Sequence, residues 1–161
     1  MKQTISVLVE NQAGALNRIT SLFSRRAFNI ESLAVGVTDD PTLSRITIIV
    51  DSGNNVVEQV EKQLNKMVEV IKVRTLQEGG YIGRELMIIK VGATPKTHPN
   101  VLTICNICGA KVADFSPTSV TMELSDTPDR LDAFQEMLRP FHILEVVRTG
   151  VIALQKGGGK I

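Results

Sequence analysis

Aromatic side chains are scarce in this chain of 161 residues, which has no tryptophan, one tyrosine and five phenylalanines. Proteins that bind single-stranded nucleic acid stack the bases on aromatic rings, so this composition disfavours that class. An excess of charge of one sign is also lacking, because 18 basic residues stand against 17 acidic ones. A balanced chain has no electrostatic footprint for nucleic acid or for a membrane surface. We therefore predict no nucleic-acid partner and no membrane partner.

Long apolar runs are absent as well, since none reaches the ~18 residues that a membrane-spanning helix requires. The N-terminus enters an alternating strand pattern almost at once and shows no signal-peptide pattern. The sequence therefore predicts a cytoplasmic protein.

Cysteine and histidine occur only twice each, as Cys105, Cys108, His98 and His142. A Cys-x-x-Cys pair that works in redox or metal chemistry is exposed and usually has further ligands. Both cysteines instead share a helical face with Val101, which predicts buried core thiols. Neither histidine lies beside a nucleophile motif, and the chain has no HExxH and no phosphate-binding glycine motif. We therefore predict no catalytic residue and no metal site.

The order of predicted elements is β-α-β-β-α-β, and it occurs twice along the chain. Strands are predicted at 2–10, 30–38, 44–51 and 70–76 in the first block, and at 84–91, 111–115, 119–124 and 143–154 in the second. A polar break at 52–55 precedes the second helix, and the last strand has a candidate interruption at Gly150. The predicted fold class is α+β, with two ferredoxin-like units in tandem.

A second break, Gln77-Glu78-Gly79-Gly80, separates the two blocks. We predict a first domain at 1–77, a linker at 78–81 and a second domain at 82–161. In the first block, the sheet face away from the helices is small or mildly apolar, as at Ala34 and Ile49. This predicts contact of that face with another sheet or subunit.

The loop after the first strand, Glu10-Asn11-Gln12-Ala13-Gly14, contains no Lys or Arg. The ferredoxin-like fold can host an acylphosphatase-like enzyme, but that chemistry needs a cation in this loop to hold phosphate. The absence of a cation therefore disfavours an enzyme.

The same loop has the groups that a free amino acid needs. Gly14 permits close backbone approach, and the amides of Gly14, Ala15 and Leu16 can face a carboxylate at the helix N-terminus. Asn11 offers an acceptor for an ammonium and a donor for a carboxylate, while small Ala13 and Ala15 leave space for a short apolar side chain. From the residues alone, a simple turn and helix cap explains the pattern equally well.

Three further runs carry a family resemblance: NQAGALNRI (11–19), FNIESL (28–33) and DDPTLSR (39–45), followed near the end by RTGVIAL (148–154). Together they resemble the small, regulatory subunit of acetolactate (acetohydroxyacid) synthase, whose N-terminal unit is an ACT domain. The resemblance covers the whole length, although the second block matches mainly in length and in its ending. Phe28 and Asn17 stand where Tyr and Ser are common in that family.

The resemblance implies an effector pocket at an ACT–ACT interface between two chains. Asn11, Gly14, Ala15 and Leu16 of one chain form one wall of that pocket, and Asn29 and Ile30 of the neighbouring chain form the other. As an alternative role, Asn29 is predicted to be the residue in the left-handed conformation that ends the first helix.

The resemblance also implies a function. A non-catalytic homodimer binds valine or a related branched-chain amino acid, activates the catalytic large subunit and makes it sensitive to feedback inhibition. This chain then holds no cofactor, and thiamine diphosphate, FAD and Mg²⁺ belong to the large subunit. The second domain and the 39–45 hairpin are candidates for contact with that subunit. The alternative is a free-standing amino-acid-sensing transcriptional regulator, which the lack of a helix-turn-helix pattern and of a basic helix disfavours.

Overall fold

The computed structural model describes residues 1–51 and 54–161, so residues 52–53 of the break predicted at 52–55 lie outside them. The helices are α1 (Ala15–Arg25), α2 (Asn54–Leu64), α3 (His98–Cys108) and α4 (Pro128–Leu138), with a 3₁₀ turn at Arg139–Phe141. The strands are β1 (Lys2–Glu10), β2 (Ile30–Val37), β3 (Leu43–Asp51), β4 (Val70–Leu76), β5 (Tyr81–Gly92), β6 (Lys111–Phe115), β7 (Ser119–Asp126), β8 (Ile143–Arg148) and β9 (Ile152–Gln155).

The first unit is a four-stranded antiparallel sheet in the order β2-β3-β1-β4, with α1 and α2 packed on one face. Strand alternation aims one side of β1 and β3 at the helices, so that Ile5, Val7, Ile46 and Ile48 are fully buried. The second unit repeats the arrangement in the order β6-β7-β5-β8, with α3 and α4. The predicted α+β fold of two ferredoxin-like units is confirmed.

The left-handed residue that ends α1 is Ala27 (φ 55°), and the prediction of Asn29 for that role is wrong. The amide of Ala27 donates to the carbonyl of Ser24, and the amide of Phe28 donates to the carbonyl of Phe23. These two bonds form a Schellman motif, in which an apolar contact joins the residues on either side of the turn. Phe23 and Phe28 make that contact edge to face, with ring centroids 6.0 Å apart.

The C-terminal strand belongs with the first unit. The chain divides into two compact units. The first consists of Met1–Gly83 together with Val151–Ile161, and the second of Arg84–Gly150. The predicted strand 143–154 is two strands, β8 and β9, separated at Gly150 (φ 83°), and β9 pairs with β5. Residues 151–161, which the predicted second domain included, therefore group with the first unit.

The second face of the first sheet is covered by that returning segment and by the start of β5. The Thr4 hydroxyl lies 3.0 Å from the Tyr81 hydroxyl, and the Arg45 guanidinium donates to the Ala153 carbonyl at 2.8 Å. Ser6 and Thr47 on this face are buried. A segment of the same chain thus covers the face for which the sequence predicted another sheet or subunit.

Candidate functional site

The candidate loop, residues 11–14, begins where β1 ends. Glu10 lies directly opposite Leu43 in the β1–β3 pair, so the loop starts beside the turn between β2 and β3. Gly14 precedes α1 with φ 86° and makes no side-chain cap. This left-handed conformation favours glycine. The carbonyl of Gly14 accepts the first helical bond, from the amide of Arg18 at 3.0 Å.

Two of the three predicted amide donors are without a protein partner among the described residues. The Ala15 amide donates to the Gln12 carbonyl at 3.3 Å, whereas the amides of Gly14 and Leu16 make no such bond there. The first amides of an α-helix lack intrahelical acceptors and carry the positive end of its dipole. The loop therefore presents two backbone donors to an anion.

Asn11 is held by both its backbone and its side chain. Its amide donates to the Thr42 carbonyl at 2.7 Å, and its Nδ2 donates to the Pro41 carbonyl at 3.0 Å. One of the two N–H donors of the Asn11 side-chain amide is thus used on Pro41, and the other is left for the predicted donation to a carboxylate. Its Oδ1 is also left as an acceptor, which suits an ammonium group.

The apolar part of the loop lies on Ala13 and Leu16. Ala13 is exposed, and the Leu16 side chain is 41% exposed although it is large and apolar. Ala15 is only 5% exposed, because it faces the protein interior. Ala13 and Leu16 therefore provide an apolar surface next to the free amides, and Ala15 provides only its backbone.

Asn29 and Ile30 lie at the other end of α1 from the loop. Asn29 is exposed in the turn before β2, and Ile30 is half-buried at the start of that strand. An 11-residue helix such as α1 is about 16 Å long at 1.5 Å per residue. Within one chain, the two predicted walls are therefore too far apart to enclose one amino acid.

Arg18 is a neighbour of the loop that sequence reasoning missed. It lies one turn into α1 and forms an ion pair with Glu69, whose side chain is only 7% exposed. The amide of Glu10 also donates to the Glu69 carbonyl, at 2.9 Å. Arg18 is four residues after Gly14, and this spacing indicated that the two lie close together. No signal in the sequence indicated that Arg18 pairs with Glu69, a carboxylate 51 positions away.

The histidines and cysteines contribute no second site in the described part of the chain. The His98 ring packs on Phe115 with centroids 4.6 Å apart, and His142 is exposed at a turn with φ 64°. Cys105 is 2% exposed within the core of the second unit, as predicted. Cys108 is only half-buried, so its predicted burial is met in part. Burial raises the pKa of both thiols, which disfavours the reactive thiolates.

Metal and membrane features are equally lacking in residues 1–51 and 54–161. No group of three or more His, Cys, Asp or Glu side chains is placed to hold a metal ion there. Among the same residues, no helix is long and apolar enough to span a bilayer.

The chain has two tandem ferredoxin-like units, and the first of them presents the free amides. This combination defines the class of protein to which the chain is similar. A model described as an AHAS small subunit-like ACT domain matches residues 5–72, and one described as the small subunit of acetolactate synthase matches residues 84–157. The chain belongs to the family of acetolactate synthase small subunits.

Relatives match over nearly the whole length. The isozyme 3 small subunit of Salmonella typhimurium is 45% identical over 98% of this chain and 97% of its own. The small subunit of Mycolicibacterium smegmatis is 44% identical over 96% and 91%. The crystal structure of the Thermotoga maritima small subunit superposes with a TM-score of 0.92, at 31% identity and 99% coverage of both chains.

Proposed function

We propose that this chain is the regulatory subunit of an acetolactate synthase and binds valine or a related branched-chain amino acid at the 11–16 loop. The observation that carries the proposal is the pair of amides, of Gly14 and Leu16, without protein partners at the start of α1. Family membership over both units supports a subunit that acts on a separate catalytic chain.

The ligand's three groups have matching partners. Its carboxylate takes the amides of Gly14 and Leu16 at the positive end of the helix. Its ammonium takes Oδ1 of Asn11, and its branched side chain covers the exposed apolar surface of Leu16. A branched-chain amino acid differs from a neighbour by one methylene, which changes binding by only ~1–3 kcal/mol. We therefore propose the class, with valine as its representative.

The second wall comes from a second chain. Because Asn29 and Ile30 lie a helix length away from their own loop, we propose that a homodimer places them on the partner's loop. The edge strand β2 supports this arrangement, since within residues 1–51 and 54–161 it pairs only with β3, and it exposes Val35 (47%) and Val37 (59%). An exposed apolar edge strand is a template for pairing with another chain.

The proposed action is allosteric and non-catalytic. Valine changes the large subunit only through its difference in affinity for two arrangements of the regulatory dimer, typically ~1–3 kcal/mol. The large subunit holds the thiamine diphosphate and performs the chemistry. The small subunit raises its activity without effector and lowers it with effector.

Calorimetry with L-valine, L-leucine and L-isoleucine tests binding, with D-valine as the control. Sedimentation tests the dimer. Addition of the chain to its large subunit, with thiamine diphosphate, FAD and Mg²⁺, tests activation and inhibition. We expect heat with L-valine, a dimer and inhibition by valine only when the small subunit is present. Absence of binding by every branched-chain amino acid would refute the proposal.

A further inference from the structure

The hydrogen bonds of Asn11 lead to one peptide group in the turn between β2 and β3. Glu10 lies opposite Leu43 in the β1–β3 pair, which brings the residue after β1 next to the residues before β3. Asn11 Nδ2 donates to the Pro41 carbonyl at 3.0 Å, and the Asn11 backbone amide donates to the Thr42 carbonyl at 2.7 Å. The Asn11 side chain is therefore held on the peptide group that joins Pro41 to Thr42.

The opposite edge of the same peptide group is held by Asp40. The Asp40 carboxylate accepts from the Thr42 hydroxyl at 2.6 Å and from the Thr42 amide at 2.9 Å. These bonds hold the pKa of Asp40 below its ordinary value, so its carboxylate is charged at neutral pH. A continuous chain of hydrogen bonds thus runs from the Asp40 carboxylate, through the Pro41–Thr42 peptide group, to the side chain of Asn11.

The backbone of Asp40 is itself fixed within the turn. The Asp40 amide donates to the Thr38 hydroxyl at 3.1 Å, and that hydroxyl donates to the Asp40 carbonyl at 2.9 Å. The Leu43 amide donates to the same carbonyl at 3.0 Å. The short side chain of Asp40 therefore starts from a fixed position beside the Thr42 amide.

This chain of bonds decides how the Asn11 side chain is oriented. A carbonyl oxygen only accepts hydrogen bonds, so Pro41 selects the nitrogen of the Asn11 side chain and leaves Oδ1 for another donor. A side chain that is ordered before binding avoids a loss of rotamer freedom, which otherwise weakens binding by about 2- to 10-fold. Each bond in such a chain also polarises the next, so the charge of Asp40 makes Oδ1 a stronger acceptor.

We propose that Asp40 is a positioning residue for the effector's ammonium group, and that it acts through the Pro41–Thr42 peptide group and Asn11. The inference rests on the proposed function, in which the ammonium binds Oδ1 of Asn11. Asp40 then contributes to affinity without contacting the ligand, and its contribution depends on the ligand having an ammonium group.

Calorimetry on the isolated small subunit tests the role of Asp40. Asp40→Ala leaves the Thr42 amide without its carboxylate, so the affinity for L-valine should fall by about 2- to 10-fold. Asp40→Asn keeps an oxygen acceptor at that position and should lose less affinity than Asp40→Ala. The matched control is Asp39→Ala, because Asp39 is the adjacent exposed carboxylate and takes no part in this chain of bonds. We expect wild-type affinity for it.

A double-mutant cycle tests whether Asp40 acts through Asn11. Asn11→Ala removes the acceptor itself, so Asp40→Ala should cause no further loss in a chain that already carries Asn11→Ala. A second readout uses 3-methylbutanoate, which is valine without its ammonium group. NMR titration, which follows weak binding, should give the same affinity for 3-methylbutanoate in the wild-type and Asp40→Ala chains.

Each outcome supports or overturns the proposal. Wild-type valine affinity in Asp40→Ala overturns it, and so does an equal loss in Asp39→Ala, because loss of charge alone would then explain both. Additive losses in the cycle, or an equal loss of affinity for 3-methylbutanoate, also overturn it, because the turn would then only shape the backbone of the loop. A wild-type chain that binds no branched-chain amino acid refutes the proposed function itself, and calorimetry on that chain alone distinguishes this case.

Discussion

Replacement of Gly14 by Asp separates the backbone role of this position from its electrostatic role. Gly14 has φ 86°, and a Cβ built on it meets no heavy atom within 4 Å. No heavy atom of the described residues therefore blocks a Cβ at this position, and the variant should fold. Its carboxylate, however, lies beside the free amides that the ligand's carboxylate is proposed to occupy.

The size of each effect follows from general physical magnitudes. A non-glycine residue in the left-handed region costs about 1 kcal/mol. For a chain of this size, that lowers Tm by only about 2–4 °C. Two negative charges ~5 Å apart repel by about 3 kcal/mol at the effective dielectric of a protein surface. Valine affinity should therefore fall by about 100-fold, and by less at high salt.

Gly14→Asn is the matched variant, since it has the same shape and backbone cost without the charge. Gly109→Asn controls for strain alone, because Gly109 also has a positive φ (73°) and open space around its Cβ, at the end of α3. We measure valine binding by calorimetry and Tm by scanning calorimetry for all of them. Equal losses in Gly14→Asp and Gly14→Asn, or wild-type affinity in Gly14→Asp, would show that the loop does not hold a carboxylate.

Two further predictions concern the second unit. Arg148 donates to both carboxylate oxygens of buried Glu85, at 3.1 and 2.8 Å, so Arg148→Met should cost ~3 kcal/mol by leaving that charge unpaired. Asp132→Asn removes only the exposed partner of Arg148 and should cost ~1 kcal/mol or less; equal losses in urea unfolding would contradict this account. Because Cys105 is buried, an aromatic disulfide reagent should modify Cys108 first in the native protein, and both thiols at similar rates in urea. Faster native modification of Cys105 would contradict that order.

The strands and helices could be predicted closely because their patterns are local. Alternation placed β1 and β4 at their observed bounds, and Pro99 and Gly109 marked the two ends of α3. The interruption predicted at Gly150 is confirmed by the break between β8 and β9 and by the positive φ of Gly150. The return of β9 to the first unit could not be predicted in this way, because the bond from Arg45 to Ala153 joins distant parts of the chain.

The free backbone amides of the candidate site could be predicted from the sequence. The hydrogen bonds that join the loop to other parts of the chain could not. A glycine after a strand and before a helix indicates free amides from local sequence alone. The bond from Asn11 to Pro41 spans 30 positions, and no periodicity encodes it. The Asn29 prediction was wrong in its conformation because propensity favours Asn in the left-handed region, whereas packing of Phe23 on Phe28 assigns that conformation to Ala27.

The cover on the second face of the first sheet has a consequence for how the chain is made. Val151–Ile161 complete the first unit, but Arg84–Gly150 are synthesised before them. At 5–20 residues per second, the ribosome needs about 3–13 s for that intervening segment. During this interval Ser6 and Thr47 have no returning strand over them, so the first unit to emerge is the last to be finished.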